Sequence, residues 1–102
     1  MAKILVIDDD EVIRSLLREF LERDGHEVME AENGRIGIRL FHENGADLVI
    51  TDLIMPEKEG IETIRELRRD FSDVKIIAIS GGGTIGPKTY LQMAKSMGAD
   101  RV

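Results

Sequence analysis

The chain has 102 residues, 42% apolar and 33% charged, a balance that fits one small globular domain over residues 1–102 and not a disordered chain. Its formal net charge of -6 argues against direct contact with nucleic acid or an anionic membrane, and with no cysteine it holds neither disulfides nor thiolate zinc sites. No apolar run approaches the ~18 residues of a spanning helix, and the first ten residues lack the layout of a signal peptide, so a cytoplasmic protein is expected.

In chain order, "KILVI" (3–7) is a solid apolar run that predicts a strand buried on both faces. Residues 11–25 have helical spacing, with Val12, Ile13, Leu16, Leu17, Phe20 and Leu21 on one stripe and Gly25 as the stop. A short strand over 27–31 follows, then Asn33-Gly34 as a turn or helix entry. Residues 35–45 predict a second helix, in which Gly37 either permits close packing on a sheet or simply weakens the helix. "ADLVIT" (46–51) is the next buried strand and runs into Asp52. Helical spacing returns over 60–71, a strand over 74–80 ends in Ser80, and Pro87 opens a last helix. Helices crossing over between short buried strands predict a parallel sheet in an α/β fold, with helices on both faces.

In such a sheet, sites form outside the carboxyl ends of the strands. Asp8 and Asp9, Asp52, and Ser80 fall there. Carboxylates held together repel unless something compensates, and a hard divalent cation such as Mg²⁺, which prefers carboxylate, carbonyl and water oxygens, would do so. The alternative is that acids at a helix start are solvated caps favoured by the helix dipole, and Asp10 and Glu11 are read that way. His26 and His42 each stand alone and are not read as metal ligands. Neither a glycine-rich phosphate loop carrying a lysine nor a Ser-His-Asp arrangement is evident.

The segments "ILVIDDDEVIR", "ADLVITDLIMPEKEG", "IIAIS" and "MGAD", in this order and spacing, resemble the receiver domain of bacterial two-component response regulators. The resemblance implies a three-layer, flavodoxin-like fold with strand order 2-1-3-4 here, the family's fifth βα unit being missing or replaced by another chain. It also implies the site roles. Asp52 is the phosphoacceptor, Asp8 and Asp9 position Mg²⁺ together with the Ile54 backbone carbonyl, Ser80 is the switch hydroxyl, and Gly81 leaves room for the phosphoryl donor. The donor implied is a sensor histidine kinase or phosphotransfer protein. Family members continue past "GAD" through a fifth strand ending in a lysine and then a fifth helix, whereas this sequence reaches Val102. The expectation is therefore a phosphoacceptor signalling module that self-associates, as a dimer or larger, through the uncovered sheet edge. The alternative is a phosphorylation-incompetent binding or dimerisation module of the same fold. A metal-dependent phosphohydrolase would need acid–base groups that the sequence does not offer.

Overall fold

The computed structural model describes residues 2–52, 60–71 and 74–79. Seven elements alternate along them: β1 (Lys3–Ile7), α1 (Glu11–Arg23), β2 (Glu27–Ala31), α2 (Gly34–Asn44), β3 (Leu48–Asp52), α3 (Gly60–Asp70) and β4 (Lys75–Ile79). Ile54, Met55-Pro56, Ser80, Gly81 and the expected helix from Pro87 lie outside the described residues.

The strands form one parallel sheet in the order β2-β1-β3-β4, as expected. β1 is internal, which explains its solid run: Ile4 through Ile7 are all buried, and alternate residues go to opposite faces. Leu5 and Ile7 join Val49, Ile76 and Ala78 in a core completed by Ile38 and Phe41 of α2 and Ile61, Ile64 and Leu67 of α3. Ile4 and Val6 join Val28 and Ile50 in a second core, on which Leu17 and Leu21 of α1 pack. Among the described residues the layers are thus α1 on one face and α2 with α3 on the other.

Local chemistry sets the element ends. Asp10 caps α1, its carboxylate accepting from the Val12 N–H at 2.9 Å, and Gly25 takes the left-handed conformation past the end (φ 89°). Asn33 caps α2 by accepting from the Ile36 N–H at 2.9 Å, so that helix starts at Gly34, one residue before its predicted start. The third strand starts at Leu48 and not at Ala46, because Asp47 is tied to β1: its N–H donates to the Lys3 carbonyl at 2.7 Å and its carboxylate accepts from the Lys3 N–H at 2.8 Å. At the other end the strand includes Asp52, which pairs in register with Ile79.

Two sequence expectations resolve differently. The six-residue apolar stripe of the first helix divides. Ile13, Leu17 and Leu21 are half-buried, whereas Val12, Leu16 and Phe20 stay exposed at 72%, 49% and 56%. At 100° per residue, that second row lies across the helix from Arg14 and Arg18, which face β2. Gly37, by contrast, is a close-packing glycine. A Cβ there would meet Ile7 Cδ1 at 2.4 Å and Cγ1 at 2.7 Å, inside van der Waals contact, and Ile7 is fully buried. Gly37→Ala is expected to destabilise the chain by about 1–3 kcal/mol despite alanine's better helix propensity, read as a lower urea midpoint at unchanged slope.

Candidate functional site

The three consecutive aspartates after β1 do three different things. Asp10 is the α1 cap. Asp9 is exposed. Asp8 is 3% exposed and continues the β1–β2 ladder one step, its N–H donating to the Ala31 carbonyl at 3.0 Å. The Asp8 carboxylate accepts from the Asp10 N–H at 2.9 Å, so the turn into the helix folds back on it. Asp52 reaches the same rim from the neighbouring strand and is also buried, at 8%. Beside it, the Thr51 hydroxyl is fully buried and donates to the Asp52 carbonyl at 3.1 Å.

One carboxylate oxygen from each of Asp8, Asp9 and Asp52 lies within 4.8 Å of the others. The predicted convergence is therefore present, on the sheet's carboxyl-end rim. The electrostatic cost shows in Asp8, whose pKa is pushed from 3.8 up to about 6. Burial is the first cause. The Asp10 N–H bond pulls the other way, and the charges of Asp52 and Asp9 push up again. Three hard oxygen donors of like charge, two of them buried, fit a hard divalent cation such as Mg²⁺ in both donor type and sign.

Arg14 also belongs to this site, though its sequence position only marks it as lying off the apolar stripe. Its Nη1 donates to the Asp8 backbone carbonyl at 2.7 Å, and its Nε pairs with Glu30 of β2 at 3.3 Å. Glu30 also takes a 2.6 Å bond from Arg18. No spacing rule signals these contacts, because the Arg14–Glu30 pair joins residues brought together only by the β1–β2 pairing. The two histidines are engaged elsewhere: His26 Nδ1 accepts from the Ala2 N–H at 3.0 Å, and His42 stacks edge-on against Phe71 and lies 3.5 Å from Asp70.

Comparison with known proteins gives the same reading. The chemotaxis protein CheY of Halobacterium salinarum is 38% identical over 101 residues, which cover 98% of this chain and 82% of that protein. Transcriptional regulatory protein CpxR of Klebsiella pneumoniae is 36% identical over 85 residues, but the matched region is 36% of its length. Among solved structures, a response regulator receiver domain protein from Clostridium thermocellum superposes with a TM-score of 0.88 at 36% identity, over 99% of this chain and 79% of that one. The response regulator protein TrrA from Thermotoga maritima, solved in complex with Mg²⁺-BeF, gives 0.83 at 36% identity, over 99% and 84%. The fold is that of the flavodoxin-like receivers, and its aspartate cluster is consistent with phosphoacceptor signalling chemistry, a self-phosphorylation and dephosphorylation cycle rather than conventional catalysis. With the response regulator receiver domain family matching residues 4–102, the chain belongs to that family.

Proposed function

We propose that this chain is a phosphoacceptor switch in which Asp52 takes a phosphoryl group from the phosphohistidine of a sensor histidine kinase or phosphotransfer protein. The observation that carries the assignment is the meeting of buried Asp52 with Asp8 and Asp9 on the rim. An ionised Asp52 oxygen attacks phosphorus, the P–N bond to the imidazole breaks, and an acyl phosphate forms on the Asp52 side chain; water later hydrolyses it and resets the switch. Asp8 and Asp9 would hold Mg²⁺, with the Ile54 carbonyl as a further oxygen. When bound, the ion would offset charge on the transferring phosphoryl oxygens. Ser80 would bond the phosphoryl group once it is in place, and the added charge at the rim would draw its loop inward.

The test is intact mass after incubation with Mg²⁺ and acetyl phosphate. A gain of one phosphoryl group is expected. No gain in a folded sample that binds Mg²⁺ overturns the phosphoacceptor assignment and leaves the alternative of a receiver-fold binding module.

Self-association belongs to the same proposal, through the sheet edge and the adjoining apolar flank of α1. What supports it is the exposed row Val12, Leu16 and Phe20, beside a core in which Leu48, Ile77 and Ile79 are only partly buried. Sedimentation is expected to show a dimer or larger species at high concentration, reduced to monomer by Leu16→Arg. A native chain that stays monomeric excludes it. No described helix is long and apolar enough to cross a membrane, and the acidic chain fits a cytoplasmic signalling role through protein partners and not through nucleic acid.

A further inference from the structure

We propose that Arg14 is a positioning residue for the acid cluster, fixing the peptide from which the Asp8 carboxylate projects. Three bonds hold that residue. Its N–H donates to the Ala31 carbonyl at 3.0 Å, its carboxylate accepts from the Asp10 N–H at 2.9 Å, and its carbonyl accepts from Arg14 Nη1 at 2.7 Å. The first two belong to the sheet and the turn. The third restrains the carbonyl at the point where the chain leaves the ladder, and it is the only one of the three made by a side chain from another turn of structure. Arg14 is itself held in place. It is mostly buried, at 15% side-chain exposure, and Glu30 at 23% anchors its Nε from β2.

The arrangement has a specific electrostatic logic. The guanidinium meets the Asp8 carbonyl and the Glu30 carboxylate, and the contacts described for it do not include the carboxylates of Asp8, Asp9 or Asp52. It therefore holds the Asp8 backbone without itself pairing with the carboxylates of the cluster. Outer contacts of this kind, which aim a ligand without touching the metal, change metal affinity by about 10–100-fold when removed.

Charge and positioning predict opposite signs, and that makes the test decisive. Removing a cation from beside three acids should tighten Mg²⁺ binding if Arg14 acts through charge alone. If it acts by positioning, Arg14→Met should weaken binding by about tenfold. The experiment is Mg²⁺ titration of the full chain, native and Arg14→Met, with folding of each sample checked by circular dichroism and urea denaturation. Arg18→Met is the matched control, because Arg18 also bonds Glu30 without contacting Asp8, and it should leave the affinity at the native value. Arg14→Lys keeps a donor for the Asp8 carbonyl and should recover most of the loss. In the metal-free protein, the Asp10 amide, which donates to the Asp8 carboxylate, should exchange its hydrogen several-fold faster in Arg14→Met. Where Arg14→Met does not fold, Glu30→Gln takes its place, and a few-fold loss of Mg²⁺ affinity is expected. Unchanged or tighter binding in the folded variant overturns the inference, as does an equal loss in Arg18→Met. The inference rests on the reading that the cluster binds a divalent cation. A native chain that does not bind Mg²⁺ defeats that reading, whereas native binding matched by Arg14→Met defeats the inference alone.

Discussion

Asp52→Asn is expected to abolish phosphoryl uptake from acetyl phosphate, leaving the intact mass unchanged where the native chain gains one phosphoryl group. The amide has no carboxylate lone pair to form the acyl phosphate, so the effect is loss and not attenuation. The variant should fold. Asp52 ends β3 in register with Ile79, and asparagine is close to it in size and can keep the same backbone pairing. It should also still bind a divalent cation, more weakly, through Asp8 and Asp9. One further consequence separates loss of the nucleophile from loss of the site. The Asp52 charge is one of the influences that raise the Asp8 pKa, so removing it should bring that pKa back toward its ordinary value of 3.8. A carboxyl titration followed by NMR reads this directly. Native-like phosphorylation in Asp52→Asn would move the acceptor to another residue.

The second large effect concerns pH and metal together. Asp8 has a folded pKa of about 6 against an ordinary value of 3.8. A carboxyl raised on folding favours the folded state while it is protonated. Its contribution is therefore complete below the unfolded pKa and is lost as pH rises through about 6. Near neutral pH the metal-free chain carries ionised, buried Asp8 beside the charges of Asp52 and Asp9, and this opposes folding. Mg²⁺ acts in the other direction, because it binds the ionised cluster and stabilises only the folded chain. Thermal unfolding should therefore show a large Mg²⁺-dependent rise in Tm at about pH 8 that fades as pH falls through about 6. Asp8→Asn should be more stable than the native chain at about pH 8 without metal and should respond little to Mg²⁺. Comparing the two proteins isolates Asp8 from the other carboxylates. A Mg²⁺ response that persists undiminished well below that pH would remove Asp8 from the metal site.

How much of this was legible in the sequence varies by residue. The meeting of Asp8, Asp9 and Asp52 on one rim followed from two local facts, which runs were solidly apolar and which residues came directly after them, whereas the strand order followed only from the resemblance to the receiver family. Asp10 as a helix cap was equally local, since the bond it makes spans two residues. The division of the α1 stripe was not local. Periodicity shows that six apolar side chains share a broad face, but the width of that face covered by the sheet depends on how the helix is seated, which left Val12, Leu16 and Phe20 in solvent. Gly37 was ambiguous for the same reason, because its role depends on where Ile7 lies, thirty residues away in sequence. Arg14 carried no signal, as its partners are a backbone carbonyl and a residue on another strand.

The bond from the Asp8 N–H to the Ala31 carbonyl places the site within the sheet's own hydrogen-bonded register. β1 is hydrogen-bonded on both sides, to β2 and to β3, and Asp52 is the terminal rung of β3. Two of the three acids are thus set by central strands, the class of element that opens only when a whole domain unfolds. Charge gained or lost at the rim therefore meets acids held by the two strands at the centre of the sheet. The paired strands thus give the site a stationary floor, as rigid as the fold itself.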